Sequence, residues 1–212
     1  MEAIGGKQRV LELKALRASG TTKIDGEELS FVMWAARPNL VRTETTSKGR
    51  VLTQGYDGVN PPWVMDSKTG VIREMGAMAA RVFDADVEFD DPLVLIGKRR
   101  ISVDYAGETE IDGKPVFKLL VTENFTVTFS LYLDHSTYFI IRRDMEKQGV
   151  RGPEIVVTEY SDFSQLNGVM LPYRIVQKVN GDVRYETVLT HIDANPPLLP
   201  GLFSKPVMTV KP

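Results

Sequence analysis

Apolar and polar residues alternate with a period of two along most of this sequence. In the segment 125–133, FTVTFSLYL, every second residue from Phe125 to Leu133 is apolar, and hydroxyl-bearing residues stand between them. The segments 101–105, ISVDY, and 169–179, VMLPYRIVQKV, repeat the alternation. This pattern is typical of antiparallel strands that have one face in the core and the other in solvent.

Short turn signals separate these alternating segments. They are the pairs Asp25-Gly26, Asp57-Gly58, Asp112-Gly113, Asn167-Gly168 and Asn180-Gly181. Such pairs tolerate the positive φ angles of tight hairpin turns. The sequence therefore predicts a mainly β protein of roughly ten strands, joined mostly by hairpins into one curved antiparallel sheet or barrel. No shift in composition divides the chain, so a single domain over residues 1–212 is expected.

Two segments have helical spacing instead. The first is residues 2–13. The second runs from Val71 to Phe83, where apolar residues that include Met75 and Met78 recur at intervals of three and four. Because this second helix stands alone in a β-rich chain, we expect it to lie across a face of the sheet, where its apolar side can be buried.

Composition and charge exclude several classes of function. The net charge is −2, without the basic excess that nucleic-acid binding requires. No apolar run reaches the length of a membrane span. There is no cysteine, which excludes disulfides, thiolate catalysis and cysteine metal ligands. The first residues, MEAIGGKQRVLEL, contain no signal peptide, and their abrupt start leads us to expect that a leader has been removed.

Candidate catalytic and metal-binding residues are few. His135 and His191 have no partner at metal-ligand spacing, and no serine stands in a G-x-S-x-G motif. The acidic stretch 84–91 lacks the glycine and the glutamate of an EF-hand loop, so we interpret it as a solvated loop. The sequence predicts no enzyme, metal site or cofactor, although spacing alone does not exclude a hydrolase.

An apolar group in the first half of the chain is the remaining candidate site. One of the two tryptophans, Trp63, stands on a short segment between two turns, and the strand 29–36, LSFVMWAA, is apolar on both faces. The group forms either a plain core or the wall of a binding site, for which flexible methionines are well suited. Its predicted wall and lid residues are Phe31, Met33, Trp34, Trp63, Met65, Met75, Met78 and Phe83.

A series of segments, in order, resembles a known family. They are EAIGGKQRVLELKALRASGTTKI, FVMWAARPNLVRTE, YDG with a following tryptophan, DADVEFDDPLV, YAGETEIDGKPVFKLLVT, YLDHSTYFIIRR, TEYSDFSQLNGVMLPYRI and NPPLLPGLFSKP. Together they resemble the outer-membrane lipoprotein-sorting, LolA-like superfamily, which includes LolB-like and RseB-like proteins. The resemblance implies an unclosed antiparallel β-barrel of about eleven strands that encloses a helical lid.

The resemblance also implies roles for individual residues. Arg37 and Arg42, in AARPNLVRTE, match an early strand motif in which an arginine holds the lid closed; which of the two corresponds stays open. The helix 71–83 stands where the family has its lid, and Trp63 is expected to line the cavity beneath it.

The function implied is that of a periplasmic carrier for a hydrophobic or amphiphilic ligand, such as lipoprotein acyl chains or another lipid. Donor or acceptor partners in the inner or outer membrane and a monomeric state are expected, and a lipid anchor on the native protein stays open. The alternative is an RseB-like envelope sensor or protein-interaction module whose filled core binds no small ligand.

Overall fold

Thirteen β-strands make up most of the described chain. The computed structural model describes residues 1–77, 79–80, 83, 89, 92–96, 100–149 and 152–207. The strands are β1 (Ala15–Ile24), β2 (Glu27–Ala36), β3 (Leu40–Ser47), β4 (Arg50–Tyr56), β5 (Trp63–Asp66), β6 (Ile72–Glu74), β7 (Ile101–Ile111), β8 (Lys114–Glu123), β9 (Val127–Asp134), β10 (Ile140–Gly149), β11 (Gly152–Leu166), β12 (Val169–Val179) and β13 (Asp182–Ala194).

These strands form one sheet in the order β6-β5-β4-β3-β2-β1-β13-β12-β11-β10-β9-β8-β7. The pairs whose register is defined are antiparallel. Since β6 and β7 stand at opposite ends of this order, the sheet is not closed. The prediction of a mainly β protein with an unclosed antiparallel sheet is confirmed. The strand number is thirteen instead of about eleven, and the enclosed helical lid stays a prediction.

Tight turns join many of the neighbouring strands, as the sequence predicted. Asp25-Gly26, Asp112-Gly113, Asn167-Gly168 and Asn180-Gly181 have positive φ at both residues. This backbone matches the right-handed twist of the strands that each turn connects. The alternating segment 125–133 begins as a strand only at Val127, because Phe125 has a positive φ and is exposed in the turn before β9.

The predicted helix 2–13 is two short helices. A 3-10 helix covers Glu2–Ile4, and α1 covers Lys7–Glu12. Gly5 and Gly6 have φ angles of 110° and 92°, which no right-handed helix contains, so the helix is broken between them. A side chain at position 5 would collide with the carbonyl of Gly168, which shows how closely this glycine lies against the β11–β12 turn.

The predicted helix 71–83 begins with a strand. Ile72 and Glu74 pair with Met65 and Trp63 of β5, and this ladder supplies the hydrogen bonds that a helix would otherwise provide. Helical backbone is found further on, at residues 77, 79, 80 and 83. Met78 and most of the acidic stretch lie outside the described residues. A further short helix, α2, covers Pro92–Leu95.

The chain divides into two compact units. Unit 1 comprises Met1–Glu12, Lys23–Glu27 and Asp90–Val188, and unit 2 comprises Leu13–Thr22, Glu28–Phe89 and Leu189–Pro212. The expectation of a single domain stays a prediction. Within the described ranges, no helix has both the length and the apolar character needed to cross a membrane.

Candidate functional site

A row of facing residues crosses five strands of unit 2. Trp34 of β2 pairs with Arg42 of β3, Arg42 pairs with Gly55 of β4, Gly55 pairs with Trp63 of β5, and Trp63 pairs with Glu74 of β6. Residues that stand opposite each other on antiparallel strands project from the same face. We call this side of strands β2–β6 the tryptophan face.

Trp63 is the anchor of the tryptophan face. Its side chain is only 1% exposed, and its indole Nε1 donates a hydrogen bond of 2.9 Å to the carbonyl of Phe203. The ring lies over Gly55: a Cβ at that position would stand 2.5 Å from Cε2 and 2.8 Å from Nε1 of the indole. Glycine at position 55 therefore makes room for the tryptophan, which is part of a packed core on this face.

Residues 196–207, here called the C-terminal segment, cover the tryptophan face. Besides the bond from Trp63, Arg42 Nη1 donates to the carbonyl of Leu202 at 3.2 Å, and Lys205 Nζ stands 2.6 Å from Glu74 Oε1. The apolar contacts beneath are formed by Ala15, Ala36 and Phe203, with Trp34, Leu40, Leu198 and Leu202 packed around them.

The two predicted latch arginines have different partners. Arg42 binds Glu44 through Nε at 3.1 Å and Nη2 at 2.7 Å, and its guanidinium carbon lies 5.9 Å from the centre of the Trp63 ring. Arg37 donates a hydrogen bond to the carbonyl of Leu13, and its guanidinium carbon lies 4.8 Å from the centre of the Phe89 ring. Arg42 therefore holds the C-terminal segment, and Arg37 contacts Phe89. The lid-latch role of either arginine stays a prediction.

The opposite side of the same strands carries a second apolar cluster, here called the methionine face. Its buried centre is Val41, Met75 and Phe83, of which Val41 is fully buried. Four partly buried residues pack against this centre: Met33, Tyr56, Val64 and Ala80. Ala80 and Phe83 have helical backbone, so helical residues cover the strand residues on this face.

The structure divides the predicted cavity wall between these two faces. Met33, Met75 and Phe83 meet on the methionine face. Trp34 and Trp63 lie on the tryptophan face, and Met65, two residues after Trp63 on β5, projects from that same side. Phe31 shares the side of Met33 by the same alternation. Met78 lies outside the described residues. A single ligand can therefore contact only the residues of one face. Ligand binding by the residues of either face stays a prediction.

Several contributors to both faces were missed from the sequence. Val41, Tyr56 and Val64 complete the methionine face, and Leu202 and Phe203 complete the tryptophan face. The signal for the last two was the apolar run in LLPGLF, near the end of the chain. Their partner strands are more than a hundred residues away in sequence, so no local pattern connects them.

The histidines contact aromatic and acidic neighbours. His135 stacks on Phe117, with 4.5 Å between ring centres, and its Nε2 lies 4.0 Å from a carboxylate oxygen of Glu108. His191 Nε2 lies 2.8 Å from Asp193 Oδ1, and this hydrogen bond lowers the pKa of the Asp193 carboxyl. Among the described residues, no three side chains of the metal-ligating types come together.

Comparison with known proteins finds similarity in structure only. No protein-family model matches the sequence. No curated protein matches it either. A domain named for outer membrane lipoprotein sorting, from Vibrio parahaemolyticus, superposes with a TM-score of 0.65 at 12% identity, over 96% of this chain and 97% of that one.

Two further solved structures superpose over nearly their full length. A DUF1329 family protein from Desulfovibrio piger has a TM-score of 0.62 at 12% identity, over 96% of this chain and 95% of that one. A LolA superfamily protein from Nitrosomonas europaea has a TM-score of 0.61 at 13% identity, over 96% of each chain. The chain therefore has the fold of the LolA-like lipoprotein-sorting proteins, and the resemblance drawn from its sequence is confirmed at the level of the fold.

Proposed function

We propose that this protein binds and carries a hydrophobic or amphiphilic ligand, such as a lipoprotein acyl chain or another lipid, in the bacterial periplasm. The methionine face is the observation that carries the proposal. It is an apolar strand surface covered by helical residues from the same unit, and two of its contributors are methionines, Met33 and Met75. The fold that the chain shares with a lipoprotein-sorting domain supports the same function.

The chemistry of the methionine face suits guests of variable shape. Methionine has an unbranched, polarisable side chain that adapts to different neighbours at low cost. The covering residue Ala80 contributes a small side chain, so displacement of the cover forfeits few contacts at that position. Burial of an acyl chain contributes about 0.8 kcal/mol per methylene, which gives useful affinity without a large polar contribution.

Binding requires the cover to leave the strand face. We infer that the helical residues 77, 79, 80 and 83 move together as a lid, with Gly76 just before them, and that ligand shifts the population from the closed to the open arrangement. Arg37 is the better candidate for the latch, because its guanidinium stacks on Phe89, just beyond the lid. Arg42 holds the C-terminal segment on the other face instead.

The remaining parts of the proposal follow from the family's chemistry. An acyl-chain carrier of the periplasm collects its ligand from one envelope partner and delivers it to another, and it works as a monomer. It requires no catalytic group, metal or cofactor.

Two matched methionines allow a direct test. Met33 on β2 and Met65 on β5 are both half-buried in unit 2, but they project from opposite faces of the sheet. We expect lipid-stripped wild-type protein to take up a fluorescent apolar probe such as N-phenyl-1-naphthylamine. Met33→Asp should abolish uptake because it places a charge where the apolar probe lies, whereas Met65→Asp should retain it.

The outcome also decides against the rival function. Absence of probe uptake by the stripped wild-type protein would exclude the carrier proposal and favour a protein-interaction module with a filled core. Equal loss of uptake in both variants, with both still folded by circular dichroism, would show that the methionine face is not the binding surface.

A further inference from the structure

An arginine lies on the apolar face of unit 1. Register places Val121 opposite Phe129, Phe129 opposite Met145, and Leu131 opposite Arg143, so all five residues project from the same side of β8, β9 and β10. Val121, Phe129 and Leu131 form the buried centre of the cluster. The residues packed around this centre are Leu93, Ile101, Val103, Leu119, Leu133, Ile140 and Met145.

Within the described part of the chain, Arg143 contacts an aromatic ring and a thioether, and neither of them neutralises its charge. Its guanidinium carbon lies 4.3 Å from the centre of the Phe129 ring, and Nη2 lies 3.7 Å from the sulfur of Met145. Its Nε is buried and has no hydrogen-bond acceptor among the residues that the structure describes. A thioether is a weak hydrogen-bond acceptor, and a buried N–H without an acceptor costs free energy. An anionic oxygen bound at this site would supply the acceptor that the guanidinium lacks.

The adjacent arginine shows what is different about Arg143. Arg142 projects from the other side of β10 and binds Asp144, two residues on, through Nε at 2.6 Å and Nη2 at 2.9 Å. The same spacing from Arg143 leads to Met145. Both arginines therefore have their neighbour at i+2 on their own face, but only Arg142 has a carboxylate there.

We propose that Arg143 binds the anionic headgroup, a carboxylate or a phosphate, of an amphiphile whose apolar chain lies along the partly buried residues around Phe129 and Leu131, such as Leu133 and Met145. A guanidinium presents its donors in a planar fork that fits such oxyanions with two parallel hydrogen bonds. The apolar surroundings strengthen this ion pair because little water competes for it. The inference rests on the proposed function, in that the ligand is an amphiphile, and it adds the headgroup class and a site within unit 1.

Calorimetric titration at pH 8 with four ligands below their micellar concentrations tests the headgroup. The ligands are dodecanoate, dodecyl phosphate, dodecanol and acetate. Wild-type protein should bind dodecanoate and dodecyl phosphate at least about tenfold more tightly than dodecanol, because a charge-assisted hydrogen bond is worth that factor or more. Acetate should not bind measurably, since it has no chain to bury.

Three variants locate the effect. Arg143→Gln should bring the affinity for dodecanoate down to that for dodecanol, and Arg143→Lys should keep part of the preference. Arg142→Gln, the matched control, should behave as wild type because its partner is Asp144.

The failures are distinguishable from one another. Equal binding of dodecanoate and dodecanol by the wild-type protein would overturn the headgroup inference and leave the carrier proposal intact, and this comparison needs no variant. A preference for dodecanoate that survives in folded Arg143→Gln would also overturn it. Binding of acetate as tight as that of dodecanoate would show a simple anion site. Binding of none of the three chain-bearing ligands would remove both the inference and the carrier proposal.

Discussion

Replacement of Gly55 by alanine should destabilise unit 2 through a collision with Trp63. The backbone of Gly55 is not in the left-handed region, so the φ angle tolerates alanine. The new Cβ, however, would stand 2.5 Å from Cε2 and 2.8 Å from Nε1 of the indole. Optimal contacts between carbon atoms lie near ~3.5–4.0 Å, so the ring has to move by about 1 Å.

The magnitude follows from what holds the ring in place. Trp63 is 1% exposed, and its Nε1 is bonded to the carbonyl of Phe203 at 2.9 Å. Overpacking of a filled core costs about 1–3 kcal/mol, and loss of the indole hydrogen bond adds about 1 kcal/mol. The lower backbone entropy of unfolded alanine offsets ~0.4–1 kcal/mol. We therefore expect the free energy of unfolding to fall by about 2 kcal/mol.

Urea denaturation followed by tryptophan fluorescence measures this loss. Gly76→Ala is the matched control, because no heavy atom lies within 4 Å of its new Cβ and its φ is also outside the left-handed region. That control should keep only the entropy gain and raise the free energy of unfolding by about 0.4–1 kcal/mol. A double variant with Trp63→Leu should lose less than the sum of its two single changes. Unfolding of Gly55→Ala at the wild-type urea concentration would refute the reasoning.

Three further predictions concern single polar contacts. Arg42→Leu removes a hydrogen-bond donor to the C-terminal segment, so amide hydrogen exchange in that segment, measured by mass spectrometry, should become faster. Unchanged exchange would contradict the role of Arg42 in holding the segment. The hydrogen bond from the Thr137 amide lowers the pKa of Asp134 in the folded protein. The stability that this bond contributes is therefore complete above the ordinary aspartate pKa and is lost as pH falls through the pKa of the folded state. The urea midpoint of Asp134→Asn should consequently depend less on acid pH than that of the wild-type protein. Lys205→Ala should shift the urea midpoint little, because the ion pair between Lys205 and Glu74 is exposed. A large shift would show that this ion pair contributes substantially to stability.

Much of the fold could be predicted because alternation and turn chemistry are local. The hairpins at Asp112-Gly113 and Asn180-Gly181 follow from residue types that tolerate positive φ. The segment 71–83 was misread because three residues are too few to show a strand period, whereas the methionine and alanine that follow have helical spacing. The predicted N-terminal helix is too long because the apolar spacing of residues 2–13 continues across Gly5 and Gly6, whose positive φ angles break the helix.

The candidate site was harder to predict for a physical reason. Met33 and Trp34 are neighbours in sequence and project from opposite faces of β2. Because both faces of this strand are apolar, the sequence does not show which segment packs on which face. The methionine face is covered by Met75, Ala80 and Phe83, and the tryptophan face is covered by Leu198, Leu202 and Phe203. Arg143 was missed because the sequence RRDM does not show which arginine lies on the apolar side of β10, whereas the register with β9 places Arg143 opposite Leu131.

The bond between Trp63 and Phe203 joins residues 140 positions apart, and this affects how the protein is made. At a synthesis rate of about 5–20 residues per second, Phe203 emerges roughly 7–30 s after Trp63. During that interval the indole lacks both its acceptor and the segment that covers it. The early strands of unit 2 therefore leave the ribosome with an uncovered aromatic surface, which offers chaperones that hold nascent chains a binding site in the first third of the protein.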